Sequence, residues 1–189
     1  MNDHVKAQLM DAADLERTLN RMARQIVEHV TPDTPAHDED EAYALVGMQT
    51  RGVQLARRLR AKVQDAEGIE VPVGVLDVTM YRDDVRLREH QPTVRATDIP
   101  FDVTGRHLVL VDDVLYTGRT GRAALEALMA RGRPASVRFL VIVDRGHREL
   151  PIYADIVGRE VPTLPDEEVR VCVSEMDDRE GVWLVSTGD

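Results

Sequence analysis

The sequence predicts an α/β protein whose central, mostly parallel twisted sheet is flanked by helices, and three observations predict it. Apolar runs alternate with amphipathic helical periods along the chain, the order that βαβ units produce. The runs at 107–112 and 136–144, HLVLVD and SVRFLVIVD, have almost no polar interruption, as strands covered on both faces require. Three non-repetitive segments, QTRG, DVLYTGRT and RGHRELP, each follow such a strand. A parallel sheet gathers them along one edge, where open α/β sheets bind their ligands.

The elements follow in order. Residues 11–30 place Leu15, Leu19, Met22, Ile26 and Val30 on one helical stripe, with Asp11 or Asp14 able to cap its start. Residues 31–41, TPDTPAHDEDE, combine two prolines with an acidic run and read as a solvated loop. AYALVGM at 42–48 is too short for a helix and suits a buried strand, broken by QTRG. Residues 53–68 read as a helix stopped at Gly68, and 71–81 as a further strand. Residues 82–98 are polar without an apolar period, and loops of that length inside compact domains are usually functional lids. After the strand at 107–112 comes a helix at 119–132, ended by Gly132 and Pro134, and then the strand at 136–144. Shorter strands are expected near ADIVG, EEVRVCVSE and VWLVS.

Composition narrows the function classes. A chain of 189 residues suits one domain over 1–189, with or without a small subdomain. No apolar run approaches the roughly 18 residues of a membrane span, and the polar N-terminus lacks the pattern of a signal peptide, so a cytoplasmic protein with no membrane partner is expected. The single cysteine, Cys172, excludes an internal disulfide and reads as a small buried hydrophobe. The histidines have no metal-ligand spacing, which argues against zinc. A formal net charge of −10 argues against a surface built throughout for nucleic acid, while leaving room for a local basic patch.

The chemistry concentrates in residues 109–120, VLVDDVLYTGRT. An apolar strand ends in Asp112 and Asp113, and a short linker leads into Thr117, Gly118, Arg119 and Thr120, where a helix begins. A helix start offers unpaired N–H groups and the positive end of the dipole, Gly118 permits a tight turn, and the two threonines add hydroxyls: a phosphate cradle. The lysine of a Walker motif is absent. Two acids beside a phosphate site suit a sugar phosphate, because carboxylates accept hydrogen bonds from ribose hydroxyls while amides hold the phosphate.

The segment 109–120 resembles the 5-phosphoribosyl-1-pyrophosphate (PRPP) motif of type I phosphoribosyltransferases. The resemblance implies that fold, with a small hood subdomain formed mainly after Asp144. It implies that Asp112 and Asp113 meet the ribose hydroxyls and are catalytic. Val109, Val114, Leu115, Tyr116, Thr117, Gly118, Arg119 and Thr120 would complete the ribose and 5-phosphate site. GMQTRG at 47–52 matches the family's pyrophosphate loop, with Thr50, Arg51 and Gly52 as its contacts. Arg82, opening the polar loop, is a further catalytic candidate for the pyrophosphate.

DVTMYRDD at 77–84 and VDRGHRELPI at 143–152 are similar to one subfamily, PyrR, from about residue 9 to residue 185. The resemblance implies transfer from PRPP to uracil, giving UMP and diphosphate, with Mg²⁺ held mainly by PRPP and by no direct protein ligand, Asp144 reaching it at most through water. Enzymes of the superfamily that use hypoxanthine or guanine carry an aspartate where this chain has Tyr116, so the resemblance points away from purines. Uracil would be read near Arg145 and the main chain at Val161. The subfamily also binds pyrimidine-operon messenger RNA leaders in response to UMP or UTP and promotes transcription attenuation. Arg17, Arg21 and Arg24 on the first helix, with Arg148 and Arg159, would supply the RNA surface across a homodimer or homotetramer. Tyr153 stands in RELPIYAD where the family has arginine, which weakens that surface. The alternative is another type I phosphoribosyltransferase without RNA regulation.

Overall fold

The computed structural model describes residues 4–30, 43–81 and 96–187. The acidic stretch 31–41 and most of the polar loop, Arg82 included, lie outside the described residues, as does the side chain of Val30. Among the described residues, eight strands and three α-helices follow in the order β1 (His4–Met10), α1 (Ala12–Val30), β2 (Tyr43–Met48), α2 (Arg51–Glu67), β3 (Val73–Leu76), β4 (His107–Leu115), α3 (Arg119–Met129), β5 (Ser136–Asp144), β6 (Ile156–Glu160), β7 (Glu167–Cys172) and β8 (Gly181–Ser186).

Five strands form a sheet in the order β3-β2-β4-β5-β6, each neighbouring pair parallel. Side chains alternate across its faces as the period of two demands. Val109 and Val111 of β4 join Leu140 and Ile142 of β5 under α1 and α2, which contribute Leu15, Leu19, Met22, Leu55 and Leu59. Leu108 and Leu110 join Phe139 and Val141 under Ala123, Ala124, Ala127 and Leu128 of α3. The chain leaves β2 toward β3 and returns on the other side as β4, so the order reverses between β2 and β4. That switch point opens a crevice at the carboxyl ends of the strands.

The hood is a second, smaller unit beside the parallel sheet, with two of its three strands after Asp144. Its sheet is antiparallel, β1-β8-β7, and its first strand comes from the N-terminus, with His4 opposite Ser186 and Met10 opposite Val182. β6, although it follows Asp144, extends the parallel sheet instead. β1 exposes five of its seven residues and so carries almost no apolar signal of its own. The hood's Val169, Val171 and Val182 share one buried cluster with α1 and α2, which fixes it over that side of the sheet.

Two predicted boundaries also shift. The strand expected over 71–81 stops at Leu76, because buried Asp77 accepts hydrogen bonds from the N–H and hydroxyl of Thr79 and bends the chain into a 3-10 turn at Thr79–Tyr81. The strand expected to end at Asp112 continues through both acids to Leu115, since β5 pairs with it as far as Asp144. Gly68 terminates α2 at φ 69°, its N–H donating to the Gln64 carbonyl.

Candidate functional site

β2, β4 and β5 are neighbours, so the three segments that follow them meet at one edge. The Gly146–Leu150 stretch is bound to the loop after β4: the N–H groups of Glu149 and Leu150 donate to the Thr117 carbonyl, and Arg148 donates to the Tyr116 carbonyl. The Arg145 N–H donates to the Leu115 carbonyl at 3.0 Å. On the other side, a Cβ on Gly52 would lie 2.4 Å from the Val111 carbonyl oxygen and 3.3 Å from the Asp112 Cα. Only glycine lets the start of α2 lie against the backbone of β4 there. The loop after β2 and the acid pair are therefore one structural unit.

The segment read as a phosphate cradle is the loop that leads from β4 into the start of α3. Gly118 precedes the first turn of α3 at φ 88°, a left-handed conformation that suits glycine, and the Thr117 hydroxyl accepts from the Arg119 N–H at 3.4 Å. Residues Asp112, Val114, Leu115, Tyr116, Thr117, Gly118, Arg119 and Thr120 line a cavity of about 260 Å³. Arg119 pairs with Glu149 at 2.6 Å, and the backbone amides with the Thr117 and Thr120 hydroxyls are donors at the cavity rim. Val109 lies fully buried in β4 beneath this rim and acts through packing.

Asp112 is buried, and its carboxylate accepts from the Asp113 N–H; the Asp113 carboxylate accepts from the Val114 N–H, both at 2.9 Å. Burial pushes the Asp113 carboxyl above its ordinary range, while the Asp112 hydrogen bond and the nearby Arg51 charge oppose the shift. Across the crevice the Gln49–Thr50 peptide is cis, and α2 begins at Arg51 without a side-chain cap from Thr50. Arg51 reaches the hood, donating from Nε and Nη2 to the two carboxylate oxygens of Asp177 at 3.1 and 2.7 Å.

A second cavity, of about 530 Å³, is lined by residues from the ends of β5 and β6, including Asp144, Arg145, His147, Tyr153, Val161 and Thr163. Arg145 is buried; it donates to the Thr163 hydroxyl and the Glu167 carbonyl and lies 4.0 Å from the centroid of the Tyr116 ring. Burial lowers its pKa from the ordinary arginine value. His147, at φ 59°, meets the Tyr116 ring edge-on, and its Nε2 lies 2.6 Å from the Thr163 carbonyl, which fixes the proton on Nε2 because a carbonyl only accepts. Tyr116 thus stands between the two cavities, supported by a cation on its face and an imidazole at its edge.

The remaining predicted residues make contacts of their own. The Val161 N–H is donated to the Asp144 carbonyl at 2.8 Å, which leaves the Val161 carbonyl and neighbouring main chain for a base. Asp144 accepts from the Gly146 N–H and pairs with Arg148, which makes it the cap of the strand end. Arg148, assigned to RNA, turns inward: it pairs with Asp144 and donates to the Tyr116, Gly146 and Ile152 carbonyls, shaping the loop instead. Arg21 and Arg24 are exposed on α1; Arg21 also donates to the Val157 and Gly158 carbonyls, and exposed Arg159 donates to the Leu9 carbonyl. These three and Arg17 lie along the junction of α1 with β6. Residues the sequence did not single out are Asp177, Thr163 and His147, whose roles arise from contacts made across the fold.

Among the described residues no helix is long and apolar enough to cross a membrane, and no group of three or more His, Cys, Asp or Glu could hold a metal ion. The family model for the phosphoribosyl transferase domain matches residues 6–176. The chain is 54% identical to "Bifunctional protein PyrR" of Thermus aquaticus over 180 residues, covering 94% of this chain and 96% of that one. It is 45% identical to the protein of the same name from Listeria monocytogenes, with 96% and 97% covered. Among solved structures it is similar to a hypoxanthine phosphoribosyltransferase of Trypanosoma cruzi, with TM-score 0.74 at 17% identity, covering 96% of this chain and 95% of that one. A hypoxanthine-guanine phosphoribosyltransferase of Bacillus anthracis aligns with TM-score 0.69 at 18% identity, covering 98% and 100%. The fold is that of the type I phosphoribosyltransferases.

Proposed function

Because the chain belongs to the phosphoribosyl transferase domain family, and within it to the PyrR proteins, we propose that it transfers phosphoribose from PRPP to uracil, forming UMP and diphosphate. We propose further that it binds pyrimidine-operon messenger RNA leaders in response to UMP or UTP. The observation that carries the enzymatic reading is the junction at Gly52, which sets the acid pair between an amide cradle and the Arg51 loop. A 5-phosphate, a ribose diol and a pyrophosphate need those three surfaces in that order.

The chemistry follows from the geometry. The amides of 117–120 hold the 5-phosphate, and Asp112 and Asp113 accept hydrogen bonds from the ribose hydroxyls. The main chain of Thr50 and Gly52, with Arg51, takes the pyrophosphate. As the C1–O bond loosens, the ribose carbon gains oxocarbenium character and the pyrophosphate gains charge, so cations and amides fixed beforehand favour the transition state. Asp113, half-buried at the strand end, adds negative charge where positive charge develops when it is ionised. Arg82 is a further cation for the leaving group. Mg²⁺ would be held mainly by PRPP oxygens, with no direct protein ligand and Asp144 reaching it at most through water, and would supply charge that neutralises the leaving group. Uracil would occupy the cavity beyond Tyr116, whose ring does not offer the carboxylate that the purine enzymes place there. We place the reaction in the cytoplasm, in a homodimer or homotetramer.

The RNA reading rests on Arg17, Arg21, Arg24 and Arg159 at the α1–β6 junction, and on the exposed Tyr153 ring, which can stack on an unpaired base. A screen of uracil, orotate, hypoxanthine and guanine with PRPP and Mg²⁺ tests the enzyme: UMP formation is expected, and turnover of a purine alone overturns the reading. Binding to the leader transcript should tighten with UMP; equal affinity for an unrelated hairpin would remove the regulatory half.

A further inference from the structure

We propose that Asp177, on the hood segment between β7 and β8, is a positioning residue for pyrophosphate: it holds the Arg51 guanidinium so that the edge left free faces the leaving group. The inference rests on the assignment of Arg51 to pyrophosphate.

The geometry is specific. Asp177 takes the Nε edge of Arg51 in a two-point fork, at 3.1 and 2.7 Å. A guanidinium has five N–H donors. The fork engages two of them, one on Nε and one on Nη2, and leaves the Nη1 end for another anion. Arg51 is also the neighbour of Gly52, which lies against the Val111 carbonyl and the Asp112 backbone, so the first turn of α2 sets this guanidinium between the hood and the acid pair, and its charge acts on the Asp113 carboxyl. Arg51 therefore bridges the hood and the acid pair, and Asp177 sets its angle.

Asp177 is itself held firmly. Its carboxylate also accepts from the Val173 N–H at 2.9 Å. The segment around it is clamped to α2 by Arg58, which pairs with Glu175 and Glu180, each at 2.7 Å, and donates to the Ser174 hydroxyl at 3.0 Å. Arg51 and Arg58 are seven residues apart on α2, two turns along one face. One arginine fixes the segment, and the segment's aspartate fixes the other. A long side chain that is oriented before the ligand arrives loses less rotamer freedom on binding. The fork also draws off part of the arginine's charge, so pyrophosphate replaces no strong anion partner at the free edge and Arg51 keeps its place after the product leaves.

The test is a double-mutant cycle on the full-length protein with Asp177→Ala, Arg51→Ala and the double variant. KM for PRPP, kcat, KM for uracil and the Kd of magnesium pyrophosphate by calorimetry are measured for each. Asp177→Ala should raise the PRPP KM and the pyrophosphate Kd by about five- to twentyfold, with KM for uracil unchanged. In the Arg51→Ala background the same substitution should add nothing further. Asp177→Asn retains an acceptor for the Val173 N–H, so it guards against a failure to fold; it should lie between wild type and Asp177→Ala. An Asp177 effect of equal size in both backgrounds, or pyrophosphate binding that tightens without Asp177, overturns the positioning role. If Arg51→Ala alone leaves PRPP use unchanged, the assignment of Arg51 fails, and the inference with it.

Discussion

The floor of the site and its hood are built in opposite ways. The floor is one contiguous stretch, β4 running through Asp112 and Asp113 into the cradle at the start of α3. Its donors are mostly backbone, and its shape is set by neighbouring residues and by Gly118. The hood joins the two ends of the chain, β1 against β8, and reaches the floor through side-chain ion pairs from α2. A floor made of main chain is fixed as soon as the strands pair. The hood packs on α1 and α2 through Val169, Val171 and Val182, but its segment between β7 and β8 is held by carboxylates and guanidinium groups and so depends on pH and salt. The division suits a transferase: the sugar phosphate needs a constant cradle, whereas the pyrophosphate must be gripped and released.

The difference can be broken from either side, with the largest effect expected on the floor. Asp113→Asn removes a carboxylate acceptor from the ribose; the loss of a charged hydrogen bond, about 1.5–3 kcal/mol, should lower kcat/KM for PRPP by roughly 10–150-fold. Wild-type kinetics in that variant would break the assigned sugar contact. Gly52→Ala forces a methyl group against the Val111 carbonyl and should cost about 1–3 kcal/mol of stability by denaturant unfolding, with weakened PRPP binding. An unchanged midpoint would mean that α2 and β4 separate without cost.

The hood should respond more mildly. Arg58→Ala should lower Tm by about 2–4 °C, the equivalent of roughly 1 kcal/mol, measured by calorimetry. Acid should act on the same contacts. Hydrogen bonds from Arg51 and Arg58 hold Asp177, Glu175 and Glu180 below their ordinary carboxylate range. A carboxylate with a depressed folded pKa contributes stability that is present above its unfolded value and lost as pH falls through the folded one. Stability should therefore fall below about pH 4, and fall less steeply in Arg58→Ala. The smallest effect is at the RNA face: Tyr153→Arg should steepen the salt dependence of leader binding by about one unit of slope.

The same contrast decides what could be read in the sequence. The floor was legible because its signal is local: apolar strand, two acids, glycine, threonines and a helical period lie within 109–120. The five parallel strands were legible from their apolar runs, and the meeting of QTRG, DVLYTGRT and RGHRELP followed from strand order alone. β1 was not, because an exposed strand at the sheet edge has no apolar pattern to show. The Asp177 fork was not, because it joins residues 126 positions apart and nothing near either one announces the other. The Arg148 contacts were hidden for a related reason: a motif names an arginine without saying where its side chain turns, and here it pairs with Asp144.

The most direct test of the account compares equilibrium binding of PRPP with that of ribose 5-phosphate in the presence of Mg²⁺, by titration calorimetry on the wild-type protein. If the α2 start, Arg51 and the hood form a separate grip for pyrophosphate, PRPP should bind at least about tenfold more tightly, a gap of roughly 1.4 kcal/mol or more. Equal affinities would contradict it, leaving the cradle as a site for a sugar phosphate alone.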